Sequence, residues 1–250
     1  MPARPISPIG AHIPVGTGLA RAGLPYLRDV GAETVQVFVS NPRGWAPAAG
    51  DPGQDRAFVT TCGEADIPVF IHAPYLINFG SPTDATLDKS VAALRHALHR
   101  GRQISARGVV VHAGCEAVGG SYDASLSRVR KRLRPLVAEL TDADPDLLIE
   151  LTAGGKGSLV SSPDGIPAYL AALDGHPKVG ICVDTCHAMA AGHDLAAPGG
   201  VRRLLSAVAK TAGRGRLRLV HANDSKDPVG SARDRHEAIG KGTIGKEAFR

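Results

Sequence analysis

The chain has 250 residues, 43% of them apolar and 21% charged, a composition that can bury a sizeable core in one large α/β domain or two small ones and excludes disordered and collagen-like chains. Lys and Arg total 29 against 24 Asp and Glu, a net charge of +5 that permits a polyanionic partner without requiring one. The longest apolar stretches fall far short of the roughly 18 residues needed to cross a bilayer, no apolar run of about 7–15 residues follows Met1, and four cysteines without a C-x-x-C pair fit neither a disulfide framework nor a Cys-rich zinc module; the expectation is a cytoplasmic protein with reduced thiols and no membrane partner.

Short β-branched runs alternate with longer stretches of helical period. A strand over 7–12 comes first, followed by a helix over 19–30 and a strand over 34–38. Strand 69–73 precedes the clearest helix, 84–103, in which Leu87, Val91, Leu94 and Leu98 form one apolar stripe. Strand 108–113, helix 125–140, strand 147–150, helix 163–173, strand 179–184, helix 201–212 and strand 217–222 complete the order. Basic runs at 128–134 and 214–218 are expected to be a solvated helix face and a strand entry. No Pro/Gly/Ser-rich linker and no shift of composition divides the chain, so a single domain over 1–250 is expected. Its repeated βα units imply a parallel sheet, either doubly wound or closed as a (β/α)8 barrel.

The placement of ionisable residues favours the barrel. His12, His72, His112, Glu150, Asp184 and His221 each sit at or beside the C-terminal end of a strand. From His72 onward they stand 40, 38, 34 and 37 residues apart, close to one βα unit each. Side chains alternate along a strand, so Asp184 shares its face with Cys182, His112 with Val110 and His221 with Leu219. A closed barrel gathers such tips around one mouth, where barrel enzymes keep their active sites; an open sheet spreads them along an edge.

Three histidines and two carboxylates at neighbouring strand ends suit Zn²⁺ or a similar divalent ion. His187 lies just beyond the tip at Asp184, and Asp234-Arg235-His236 is a D-x-H pair whose outer members project to one side of an extended segment. Seven to eight N/O ligands exceed what one tetrahedral ion requires. More than one ion is implied, with Glu150 able to bridge, and paired ions about 3.5–4 Å apart suit in-line displacement at phosphorus.

The segments HAPYLINFGSP at 72–82, GICVDTCHAMAAGHD at 180–194, HANDSK at 221–226, GSARDRH at 230–236 and GKGTIG at 240–245 closely resemble the endonuclease IV family of apurinic/apyrimidinic (AP) endonucleases, and the resemblance runs from Ile9 to Arg250. It implies a TIM barrel with three zinc ions, manganese being the alternative occupant. The implied enzyme is a monomer of base-excision repair that cleaves duplex DNA 5′ to an abasic site, leaving a 3′-hydroxyl and a 5′-deoxyribose phosphate. Carried over by position, one zinc falls to His72, His112 and Glu150. Glu150 bridges to a second on Asp184 and His221, and the third falls to His187, Asp234 and His236. Glu150 would be the catalytic residue, holding the hydroxide that serves as nucleophile. Loops 41–45 and 75–78 match those that enter the minor groove, which makes Arg43, Trp45, Tyr75 and Asn78 the expected DNA contacts, with Arg43 and Tyr75 beside the gap in the base stack.

Several positions depart from the family pattern. Leu151 stands where an asparagine is usual, so a hydrogen bond behind the ligands is expected to be lost, and His193 stands where tyrosine is preferred. His96, His99 and His176 lack motif support and are expected at the surface. The run 154–158 does not satisfy a P-loop. The Asn223-Asp224-Ser225 sequon has no secretory context. The family's second zinc takes a further glutamate from strand eight, and one more interval beyond His221 reaches past Arg250. The expectation is therefore a barrel lacking its eighth strand and helix, a part of a somewhat longer enzyme.

Two other readings stay open at this stage. A sugar isomerase-like barrel also gathers His, Glu and Asp around divalent ions, although it has no use for the D-x-H pair and the groove loops. An inactive DNA-binding remnant would show salt-sensitive duplex binding without turnover.

Overall fold

A computed structural model describes residues 7–116 and 120–250. It divides into two compact units, one comprising 1–76, 93–109 and 141–145, the other 77–92, 110–140 and 146–250. None of the helices among the described residues is long and apolar enough to cross a membrane.

In the first unit β1 (Ala11–His12), β2 (Val35–Val37) and β3 (Val69–His72) pair in parallel, with Val35 facing Ala11 on one side and Val69 on the other. The helix expected over 19–30 forms in two pieces, a π-helical turn at Leu19–Gly23 and α1 (Leu24–Asp29), with Pro25 in the first turn of α1. Between β2 and β3 lies α2 (Pro52–Glu64), which the periodicity reading passes over. Only Asp55, Phe58 and Cys62 of α2 are buried, too sparse a stripe to stand out. Its start is nevertheless well marked, because the Asp51 carboxylate accepts from the N–H groups of Gly53 and Gln54 and Pro52 supplies a preset φ.

The apolar stripe of α3 (Asp84–Gln103) is real: Leu87, Leu94 and Leu98 are buried and Val91 is half-buried. Near its end Arg100 is buried and grips Asp55 of α2 with two hydrogen bonds of 2.7 and 2.9 Å, a desolvated fork that ties the two helices together. Gly50 must be glycine here, since its φ is +81° and a Cβ would lie 2.4 Å from the Arg100 guanidinium.

The second unit holds the end of β4 (Gly108–His112), then β5 (Asp146–Glu150), β6 (Val179–Asp184) and β7 (Leu217–His221), neighbours in that order. The β5 strand pairs in parallel with β6 and β6 with β7. All six residues of β6 are buried, as befits a strand covered on both faces. A bulge opposite Ile181 and Cys182 lets β7 gain one residue, so that Asp184 comes to face His221. No eighth parallel strand follows β7 among the described residues. Outside the sheet, α4 (Tyr122–Ala138) packs on α5 (Ile166–Ala172), and α5 on α7 (Gly200–Ala212). Tyr169 of α5 is fully buried, burial pushes its phenol upward, and its hydroxyl donates to the Ala113 carbonyl at 3.1 Å. Tyr169→Phe leaves that carbonyl short of a donor and is expected to cost about 1 kcal/mol, measurable by urea unfolding.

The run at 128–134 is an exposed helix face, with Arg130, Lys131 and Arg134 exposed, and the run at 214–218 enters β7 at Leu217, both as expected; most of their arginines are nevertheless paired. In α4, Arg130 and Arg134 hold Asp174, Arg132 holds Asp84 and Asp88, and Arg128 donates to the Gly80 carbonyl. Arg216 and Arg218 cap the carbonyls of the 175–179 turn. His99 is exposed as expected, but His96 and His176 are half-buried; burial pulls the His96 imidazole downward, and the His176 Nδ1 accepts from the Lys178 N–H.

Candidate metal centre

Two short elements that no periodicity signals complete the second unit and carry much of its site. One is α6 (Thr185–Ala190), entirely buried and begun by Asp184, whose Oδ1 accepts from the N–H groups of Cys186 (2.7 Å) and His187 (3.1 Å). The other is the antiparallel pair β8 (Asp224–Ser225) and β9 (His236–Glu237), with Ser225 opposite His236. A six-residue helix and a two-residue strand are too short for a period to register.

Seven of the eight expected ligands lie in this unit. Glu150 is 1% exposed at the tip of β5. Its Oε1 stands 3.0 Å from His221 Nδ1 and 3.3 Å from His187 Nδ1, and its Oε2 stands 3.6 Å from His112 Nε2. Asp184, also 1% exposed, presents Oδ2 to His221 Nδ1 at 3.8 Å and to His236 Nε2 at 3.7 Å. The D-x-H pair behaves as its spacing predicts: Asp234 reaches His187 Nε2 at 3.1 Å with one oxygen and His236 Nε2 at 2.9 Å with the other. Ligand atoms of His187, Asp234 and His236 lie within 4.8 Å of one another, as do those of Glu150, Asp184 and His187.

The eighth, His72, is buried at the tip of β3 in the first unit. Its Nδ1 donates to the Ala73 carbonyl at 2.7 Å, which fixes the tautomer whose Nε2 carries the lone pair a metal would take. Phe38 and Tyr75 hold the ring, with centroids 5.7 and 5.1 Å away. His12, which also ends a strand, instead approaches Gln36 and packs at a tilt against Phe38.

Electrostatics in the cluster are dominated by crowded carboxylates. Burial alone would lower His187, but its hydrogen bond to Asp234 and the charges of Asp184 and Glu150 raise it to about 10. His221 is raised against the same desolvation by Glu150 and Asp184, and His236 is raised chiefly by its hydrogen bond to Asp234. Asp234 is held far below the usual carboxylate range, since bonds from His187 and His236 outweigh its burial. Cys182, 3.7 Å from His221, and Cys186 are both pushed upward by burial, Cys186 to about 11, so neither thiol supplies an anion at neutral pH.

The Leu151 departure costs less than its side chain suggests. The Leu151 carbonyl accepts from His187 Nδ1 at 2.9 Å, so a backbone atom orients that imidazole whatever residue stands there. His193 is half-buried and donates its N–H to Ala188.

Three supporting residues escape a reading by sequence. Asn223 donates to Asp184 Oδ2 at 2.6 Å, and Thr185 Oγ1 donates to the Asn223 carbonyl. Asp224 is fully buried and accepts from the N–H groups of Ser225, Gly240, Gly242, Ile244 and Gly245, gathering the loop after β9 around one carboxylate. Gly242 is required by that approach, because a Cβ would lie 2.4 Å from Asp224 Oδ1 and from the Ser225 carbonyl. The only signal was the Asn-Asp-Ser string itself.

Of the expected DNA contacts, Arg43 is exposed on a turn held by Asn41, Trp45 is half-buried, and Tyr75 is 46% exposed. The Tyr75 N–H donates to the Pro42 carbonyl at 2.9 Å, so loops 41–45 and 73–76 are tied together. Asn78 is half-buried, and its amide braces the backbone by accepting from Gly80 and Cys115 N–H groups.

Residues 24–250 match a family model described as a xylose isomerase-like TIM barrel. The chain is 55% identical to a probable endonuclease 4 of Streptomyces avermitilis, over 98% of this chain and 79% of that protein. It is 54% identical to a probable endonuclease 4 of Streptomyces coelicolor, over 98% of this chain and 84% of the relative. Endonuclease IV from Thermus thermophilus superposes with a TM-score of 0.83 at 31% identity, covering 97% of this chain and 86% of that one. The fold is thus the TIM barrel that the strand-tip residues favoured over a doubly wound sheet.

Proposed function

Because the chain belongs to the endonuclease IV family of AP endonucleases, we propose that it hydrolyses the phosphodiester 5′ to abasic sites in duplex DNA, leaving a 3′-hydroxyl and a 5′-deoxyribose phosphate, and that it does so as a monomer in the cytoplasm. The observation that carries this reading is the cluster around Glu150 and Asp184. Two carboxylates, each 1% exposed and sharing His187, call for compensating positive charge. The imidazole and carboxylate donors around them suit a hard-to-borderline divalent cation, which we take to be zinc, with manganese as substitute.

In this reading His72, His112 and Glu150 would hold one ion, Glu150, Asp184 and His221 a second, and His187, Asp234 and His236 a third. When bound, such ions supply Lewis-acid stabilisation of charge on the phosphate and on the leaving 3′-oxygen and ease the ionisation of water. Glu150 then orients the attacking water by accepting its hydrogen bond, and the His221 Nδ1–H holds that carboxylate in place. The nucleophile in this reading is water rather than a protein group, and burial pushes the thiols of Cys182 and Cys186 upward, away from an anionic role. Arg43, Trp45 and Tyr75 are the groups that meet the duplex, while Asn78 acts by shaping the loop that follows Tyr75.

Purified protein is expected to incise a duplex bearing a single abasic site, with a 3′-end that a polymerase extends, and to hold three zinc equivalents by elemental analysis. Ketose–aldose interconversion without incision, or one zinc or fewer with every ligand intact, would overturn the proposal.

A further inference from the structure

The middle residue of the D-x-H pair faces away from the ligands. Asp234 and His236 point towards His187, whereas Arg235 grips the buried carboxylate of Asp227 with two hydrogen bonds, Nε to Oδ2 at 2.7 Å and Nη2 to Oδ1 at 2.6 Å. Asp227 is 4% exposed and is itself fixed through its backbone: its N–H donates to Ser225 Oγ, and its carbonyl accepts from Ser225 Oγ at 2.9 Å and Thr243 Oγ1 at 2.7 Å. The Lys226 N–H closes the same frame by donating to the Arg235 carbonyl. Arg233 adds only a long contact to Asp227 at 3.7 Å.

In an extended segment successive side chains point to opposite sides, so a twist of the backbone at 234–236 would turn Arg235 and the two flanking side chains together. A two-pronged guanidinium–carboxylate bond on one side sets that rotation for the other side. We propose that Arg235 is a positioning residue whose grip on Asp227 aims Asp234 and His236 at the third ion. The inference rests on the three-ion reading above and deepens it: Arg235 takes no part in the chemistry and acts on one ion, with the ligands of the other two carried by the ends of β3 to β7.

The test is zinc stoichiometry and affinity, measured by competition with a chromophoric chelator. Arg235→Met preserves the length of the side chain and removes the fork. It is expected to weaken one of three zinc equivalents about 10–100-fold, the usual consequence of losing a group that orients a ligand, while the other two stay within about twofold. Arg235→Lys keeps the charge, loses the fork and is expected to show the same selective loss; it stands in should the methionine variant fail to fold. Added to His236→Ala, Arg235→Met is expected to weaken binding no further, because both act on one ion. Equal weakening of all three equivalents, or three equivalents of unchanged affinity in both variants, overturns the inference alone. A wild-type protein with no third equivalent overturns the three-ion reading and the inference with it.

Discussion

Glu150→Gln is expected to reduce abasic-site incision by at least about 10³-fold, in line with the loss of a central member of a catalytic unit. The substitution keeps volume and shape. It removes the negative charge and converts one acceptor oxygen into a donor, and neither oxygen can tolerate that: Oε1 accepts from His221 Nδ1, and Oε2 faces His112 Nε2. The folded structure is expected to survive, because relief of repulsion between buried Glu150 and Asp184 offsets part of what His221 and His187 lose when the charge that raises them is removed. With chelator present, the variant is expected to melt within a few degrees of the parent. With zinc present it is expected to gain less from the metal. Incision at the parent rate would remove Glu150 from the mechanism.

Asp224→Ala is expected to be the most damaging change to stability. Five backbone N–H groups converge on that carboxylate, and four of them belong to the 240–245 loop. Water can reach some of the orphaned donors, so the loss is expected to be about 3–5 kcal/mol, less than a sum of single penalties. For a chain of this size that corresponds to a fall in Tm of about 10 °C. Burial tends to raise the Asp224 carboxyl, but the N–H groups of Ser225, Ile244, Gly242 and Gly240 hold it below its usual value. A carboxyl lower in the folded than in the unfolded state adds stability above the unfolded value, and that stability is lost as the pH falls through the folded one. The parent is therefore expected to lose more Tm than Asp224→Asn between pH 5 and pH 3. Equal slopes would show that the carboxylate charge is not what organises the loop.

Much of the candidate centre was legible because each candidate ligand occupies a position that needs no tertiary information to recognise. Glu150, Asp184 and His221 end β-branched runs, and D-x-H is visible as a spacing. Their partners were not legible. Asn223 looks like part of a sequon and serves as the donor to Asp184, while Asp224 looks like any loop aspartate and binds five N–H groups. The Leu151 departure reads as a lost hydrogen bond, yet the bond comes from a carbonyl that every residue carries. The same limit applied to the helices. In α3 the stripe is dense enough to be read directly, whereas α2 buries only three residues and α6 is six residues long and wholly enclosed.

By itself, then, the order of residues determined the alternation of strands and helices, the candidate metal-ligating side chains and the choice of a barrel. Each of these rests on periodicity or on spacing along one chain. Tertiary structure decided which atoms of those side chains face one another, and through which backbone groups they are held. The bulge that brings His221 opposite Asp184, the N-cap that binds Asp184 to α6 and the Arg235–Asp227 grip behind the D-x-H pair all join residues from separate elements. Hydrogen bonds need alignment within a few tenths of an ångström, and only the packed chain specifies position that finely.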